Sequence, residues 1–159
     1  DRSLSTVNNN GDGVSTSGRT TYYGGYQRYY NLQTPSLVCP NESNDLFTTS
    51  SSDKGNKKLT YPIGLITVDE LALSGYANNY LNKSAYTYSS STYWTMSPSH
   101  FDVSNSTARE IVLTSDGYVY RWHYVTNSFG VRAVINLKSD TQISGGIGTS
   151  NDPFVVGNT

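Results

Sequence analysis

Cysteine is nearly missing: Cys39 stands alone in 159 residues. An intrachain disulfide, a CxxC redox pair and a four-cysteine zinc site are therefore excluded. Cys39 is expected as a buried small hydrophobe, not a nucleophile. Charge is also scarce, at 14% of residues with a net charge of -1. There is no basic stripe, and the longest cationic run is Lys57-Lys58. Nucleic acid and anionic membranes are accordingly not expected as partners. No stretch approaches the roughly 20 apolar residues of a membrane-crossing helix. No signal peptide is visible, and the chain opens on Asp1-Arg2-Ser3 without Met, as a mature or trimmed fragment would. Any membrane attachment is expected through an anchor absent from this chain. Only two histidines occur, His100 and His123. So sparse a set predicts no metal site and no cofactor. Ser97, His100 and Asp102 could be imagined as a hydrolytic cluster, but no nucleophile elbow or oxyanion signature accompanies them. No catalytic residue is assigned, and the chain is read as non-enzymatic.

Tyrosine and glycine, 14 of each, together with Ser, Thr and Asn, fill the space left by charge and aliphatics. That composition suits an extracellular β-rich domain with a neutral polar surface. The length predicts one domain. Residues 1–20 read as a polar arm or linker, and 21–159 as the domain. The Asn-Gly-Asp-Gly run at 10–13 reads as a turn, because the ligand spacing of a calcium loop is missing.

Along the domain, Gly24-Gly25 is expected as a turn and Tyr29–Leu32 as a strand. Leu37 to Cys39 reads as an extended segment between prolines, and 41–58 as a surface loop. The clearest local signal lies at 59–76. Ile63, Leu65 and Ile66 are apolar and extended. Thr67 then fits as an N-cap, Glu70 as its capping-box partner, and Ile66 with Leu71 as a hydrophobic staple. Asp69 and Glu70 favour the first turn of a helix over about 68–74, which Gly75 stops. Residues 76–92 read as a long loop, TYWTMSP as a strand ended by Pro98, and FGVRAVINL as another strand. ISGGIGTSND is turn-rich and PFVV a short last strand. Arg132 lies between apolar residues and is expected to be paired, with Asp69, Glu70 or backbone carbonyls as partners. The functional alternative for it is an anion-binding arginine.

REIVLTSDGYVYRWHYV reads as a hairpin around Asp116-Gly117. Tyr118, Tyr120, Trp122 and Tyr124 alternate with Val119, Arg121, His123 and Val125, so each set is expected on its own face. Two registers are open. A two-residue turn sets Leu113 opposite Tyr120 and makes the aromatic face core. A three-residue loop, with Gly117 left-handed, sets Leu113 opposite Val119 and turns the aromatics outward.

Tyr93-Trp94-Thr95-Met96-Ser97-Pro98, then Asp116-Gly117-Tyr118-Val119, then Gly130 to Leu137 resembles an uncharacterised family of bacterial surface domains. Its pattern is a YW-x-x-SP strand, a DG-x-V hairpin and a closing GVRP strand, with Ala133 here in place of Pro. The stretch Tyr61 to Thr67 is also similar to members of that group. The group in turn resembles the formylglycine-generating-enzyme and C-type-lectin-like folds. The resemblance implies an α+β domain with a C-type-lectin-like twisted antiparallel sheet, one or two short helices and long loops. It implies neither the copper chemistry of those enzymes nor the calcium sites of those lectins, since the cysteine pair and the ligand tripeptides are missing. It favours the register with Val119 inward.

Tyr with Ser, Asn and Gly is the composition of adaptable binding loops. The expected function is a non-catalytic ligand-binding or adhesion module on the bacterial cell surface, with an extracellular protein or glycan as ligand. The expected binding residues are Tyr118, Tyr120, Trp122 and Tyr124, with Tyr86 and Tyr88 from the flanking loop. Arg132, Thr67, Glu70, Gly117 and Trp94 are expected to be structural. The opposing view is that the four aromatics form a second small core. A structural subunit of a pilus or multidomain surface protein, and a variable protein of a diversity-generating retroelement, are the other readings.

Overall fold

A computed structural model describes residues 20–40, 42–48, 51, 53–61, 63–102, 104–149 and 151–157. The Asn-Gly-Asp-Gly run and nearly all of the expected N-terminal arm lie outside the described residues. The architecture is antiparallel sheets with a few short helices. The elements are β1 (Thr21–Tyr22), α1 (Gly24–Tyr26), a π-helical segment (Gln27–Leu32), α2 (Glu42–Asp45), β2 (Ile63–Leu65), α3 (Val68–Leu73), β3 (Tyr93–Asp102), β4 (Thr107–Leu113), β5 (Val119–Tyr124), β6 (Ala133–Ile135), β7 (Gln142–Gly145) and β8 (Val155–Gly157). The main sheet has the order β1-β3-β4-β5, and β2-β6 and β7-β8 form separate two-stranded ribbons. No helix among the described residues is long and apolar enough to cross a membrane.

Helix α3 forms where its caps predict. The Thr67 hydroxyl accepts the Glu70 N–H at 3.1 Å and the Glu70 carboxylate accepts the Thr67 N–H at 2.7 Å. Each bond satisfies a helix-end donor that has no partner within the helix. Gly75 ends the element at a φ of 107°. Val68 and Leu71 are fully buried, and Ile66 joins them in the core. Burying a side chain such as Leu71 contributes roughly 2–3 kcal/mol. Asp69 goes beyond its place in the first turn. It accepts Nε and Nη2 of Arg28, both at 2.7 Å, and the Ser36 N–H at 2.9 Å. The ion pair ties α3 to the π-helical segment.

The segment after β1 corrects the sequence reading. Gly24-Gly25 opens a helix, and Tyr29–Leu32 continues it with π winding instead of forming a strand. The reason is close packing: a Cβ on Gly25 would lie 3.3 Å from Val68 and 3.6 Å from Ser97. Without a side chain this backbone settles closely on α3 and β3, where a Cβ would press on Val68. Tyr26, Tyr29 and Tyr30 then fall on one helical face and are buried. They meet Tyr93, Ile111, Leu113 and Val119 of the main sheet in a single cluster with α3.

Pro98 does not end β3. The strand runs on to Asp102, with register shifts on either side of Pro98. A proline is tolerated at such an irregularity because no ladder N–H is required there. Of FGVRAVINL only Ala133–Ile135 is strand, paired with β2 through Ile63↔Ile135 and Leu65↔Ala133. Ile143, Ser144 and Gly145, from the passage expected to be turn-rich, join Gln142 to form β7 against β8. Residues 42–45 form a helical turn inside the expected surface loop. Cys39 is half-buried and not sealed in a core.

Candidate functional site

The hairpin loop decides which aromatics face outward. The Gly117 N–H reaches the Thr114 carbonyl and the Thr114 N–H reaches the Tyr118 carbonyl, both at 2.9 Å. Ser115, Asp116 and Gly117 therefore form a three-residue loop, with Gly117 at a φ of 84°. A Cβ on Gly117 would meet the Asn82 carbonyl oxygen at 2.8 Å. The tip is clamped to the 76–92 loop from that loop's side as well. The Asn82 N–H donates to the Gly117 carbonyl, and the Tyr88 hydroxyl donates to the Ser115 carbonyl at 3.0 Å. Leu113 is opposite Val119 and Val112 opposite Tyr120, with Val119 at 1% exposure.

The alternation expected of the four aromatics fails beyond Tyr120. Val112 faces Tyr120, but Glu110 faces His123 and Arg109 faces Tyr124. Strand β5 thus carries one extra residue, a bulge in which Arg121 and Trp122 both stand opposite Ile111. Both then share the core side with Ile111. His123 moves to the outer face, and Tyr124 moves off it.

The outer face consequently carries a different row of rings. Tyr118 and Tyr120 lie 6.1 Å apart, Tyr120 and His123 5.0 Å, His123 and Phe129 4.6 Å, and Phe129 and Trp94 5.0 Å, centroid to centroid. Beneath them Val112 is completely covered. The Tyr118 hydroxyl donates to Asn79 Oδ1 at 3.0 Å, anchoring the row to the loop. Tyr118, Tyr120, His123, Phe129 and Trp94 are all half-buried. They cover Val112 and still present part of each ring to solvent. His123 and Phe129 were missed by sequence reasoning, because a bulge inverts side-chain parity without leaving a mark in the residue pattern.

On the core side, Arg109 is wedged among the displaced aromatics. It donates to the Trp122 carbonyl at 2.7 Å and to the Tyr124 hydroxyl at 3.2 Å, and lies 3.5 Å from Asp102. Its guanidinium lies over both rings, 5.3 Å and 4.2 Å from their centroids. Trp122 and Tyr124 remain 37% and 39% exposed.

Tyr86 stands apart from both sets at 78% exposure. It lines a cavity of about 460 Å3 with Arg132 and Tyr93. Arg132 pairs with neither carboxylate offered for it. It donates to the Thr87 carbonyl at 2.5 Å, with the Tyr86 and Tyr88 carbonyls at 3.5 Å. It is a loop clasp, one of the expected options. A larger recess of about 660 Å3 lies beside the β2-β6 ribbon and is reached by Thr67 and Glu70 but by none of the expected binding aromatics. Neither recess is lined by Tyr118, Tyr120, Trp122 or Tyr124.

Two acid–base groups sit in unusual surroundings. Burial pushes the Glu110 carboxyl up to about 8, and its Oε1 is sealed without a hydrogen-bond partner. Burial, reinforced by Arg109, lowers His100 to about 4. His100 shares its Nδ1 with the Ser99 hydroxyl at 2.8 Å, while the Ser97 hydroxyl accepts the Val68 N–H at 2.9 Å. Ser97 and His100 thus serve different partners. Among the described residues no three His, Cys, Asp or Glu side chains gather closely enough to hold a metal ion.

Compared with protein-family models, curated proteins and solved structures, the chain matches none.

Proposed function

We propose that this chain is a non-catalytic ligand-binding or adhesion module of a bacterial cell surface, a distant relative of the C-type-lectin-like fold. It recognises an extracellular protein or glycan through a flat aromatic face. The observation that carries this reading is the outer row Tyr118–Tyr120–His123–Phe129–Trp94, whose partly exposed rings stand 4.6–6.1 Å apart. Such rings supply contact area at low entropic cost and keep polar edges for orientation. A platform of this kind suits an extended surface or polymer better than a small molecule, which would need enclosure. Tyr88 belongs to the supporting loop, Tyr86 lies elsewhere, and Trp122 and Tyr124 leave this surface for the opposite face.

The test is an array of glycans and extracellular proteins probed with the purified chain and with Tyr120→Ala. A binder whose affinity falls at least tenfold in Tyr120→Ala, with unchanged circular dichroism, supports the reading. An empty array, or an array on which no binder weakens in Tyr120→Ala, overturns it.

A second reading is favoured by one specific feature. On the β2-β6 ribbon, Tyr61, Ile63, Val131, Ile135 and Leu137 are each more than half exposed. A chain that packs this apolar face against a neighbouring module would be a structural subunit or spacer. Sedimentation of a longer gene product beside this chain would separate the two readings.

A further inference from the structure

Arg121 is the arginine to which neither the sequence reading nor the outer aromatic row gives a role. The bulge turns it toward the helical side, where its guanidinium carbon lies 4.7 Å from the Tyr30 ring centroid, 5.3 Å from that of Tyr26 and 5.2 Å from that of Trp122. The Tyr30 ring is itself held, since its hydroxyl donates to the Val119 carbonyl at 2.9 Å. Tyr22, Tyr26 and Tyr30 continue as a row with centroid spacings of 4.5 and 5.1 Å. Among the described residues Arg121 has no hydrogen bond and no ion pair, although it is half-buried. The neighbouring Arg109 has both, through Asp102, Tyr124 and the Trp122 carbonyl. Nearby, the Nε2 of His100 is sealed at 1% residue exposure with no partner. Asp102 thus serves Arg109, and among the described residues no carboxylate is paired with Arg121.

A partly desolvated guanidinium held over ring faces is oriented in advance, and its N–H donors lie in its own plane, away from those faces. That arrangement lacks only a planar anion, and a carboxylate accepts the fork in a bidentate manner. We propose that Arg121, at the bulge, is the anchor of a second binding site that takes the carboxylate of an acidic polysaccharide, of the uronic-acid class. Trp122, 37% exposed and with its ring centroid 5.2 Å from the guanidinium, flanks it for the apolar face of the sugar. An extended acidic peptide fits less well. The β5 edge that would pair with it is occupied: Val119 and Trp122 carbonyls are taken by Tyr30 and Arg109, and the Tyr124 N–H by Asn127 at 2.9 Å. This site is separate from the outer row and does not depend on it.

The probe is oligogalacturonate, titrated into the whole chain while the Trp122 indole and Arg121 side-chain NMR signals are followed. The expected result is a saturable shift that weakens with added salt. It should vanish for the methyl-esterified oligomer, fall at least tenfold in Arg121→Gln, survive in part in Arg121→Lys, and be unchanged in Tyr120→Ala. Near-UV circular dichroism checks that the variants fold, and Arg121→Lys keeps the charge if Arg121→Gln does not. No saturable shift, equal binding of the ester, or full affinity in a folded Arg121→Gln or Arg121→Lys overturns the proposal. So does tighter binding of poly-glutamate than of the uronate, which would make the ligand an acidic peptide.

Discussion

Arg121 and Trp122 stand opposite the same residue, Ile111, on the facing strand. Neighbours in a regular strand point to opposite faces, and these two do not. The exposed aromatics of β5 are divided between two surfaces by this single extra residue. The outer surface keeps Tyr118 and Tyr120 and gains His123. The inner one receives Trp122, Tyr124 and the Arg121 guanidinium.

The hairpin tip should not tolerate a side chain at Gly117. Its φ of 84° and the 2.8 Å approach of a Cβ to the Asn82 carbonyl act together. Gly117→Ala is expected to cost more than about 1 kcal/mol, through left-handed strain and lost docking on the 76–92 loop. Urea denaturation measures this, and an unchanged midpoint would contradict the clamp.

Removing the charge of Asp69 should be among the costliest single changes. Asp69 is 4% exposed and receives both Arg28 donors and the Ser36 N–H. Asp69→Ala takes away the carboxylate that meets both Arg28 donors, and the Arg28 side chain is 17% exposed. The expected loss is about 3–5 kcal/mol, and Arg28→Met with Asp69→Leu should recover much of it. A double-mutant cycle by denaturation reads the coupling.

Two buried groups give stability opposite slopes with pH. Glu110 is raised to about 8 by burial, so between its unfolded value near 4.5 and about 8 the folded state holds the extra proton. Stability from this group falls as pH rises through that window. His100 is lowered to about 4, so the unfolded chain holds the extra proton between about 4 and 6.5, and stability falls as pH drops through that range. Glu110→Gln should flatten the alkaline limb, with a gain of a few kcal/mol at most near pH 8. Denaturation at pH 5, 6.5 and 8.5 with both proteins checks this. An alkaline limb of equal slope in Glu110→Gln would show that another group drives it.

The α3 N-cap should contribute an ordinary amount. Thr67→Ala removes the acceptor of the Glu70 N–H and half of a reciprocal pair. The expected loss is about 0.5–2 kcal/mol. Thr67→Ser should lose far less, and the two melts side by side isolate the hydroxyl.

Helix α3 was legible because its signals are local: Thr67, Glu70 and Gly75 act within one or two turns of chain. The inward turn of Val119 was favoured only by the resemblance drawn from the sequence, as spacing alone left two registers open. The helix at Gly24 was missed because a glycine pair is turn-like by propensity and helical here only through its contact with Val68 and Ser97. The Tyr26, Tyr29, Tyr30 spacing carried that helix in plain sight, but the glycines outweighed it.

From its residues alone the chain declared a cysteine-poor, weakly charged, tyrosine-rich and β-rich domain with one capped helix and a hairpin at Asp116-Gly117. Composition and nearest-neighbour chemistry are sufficient for that. Tertiary packing alone decided which faces the aromatics occupy, what Arg28 and Arg132 hold, and that the Arg121 guanidinium stacks on Tyr26, Tyr30 and Trp122. A bulge shifts side-chain parity by one residue at small local cost, and a long arginine finds its partner only once distant strands and loops have come together.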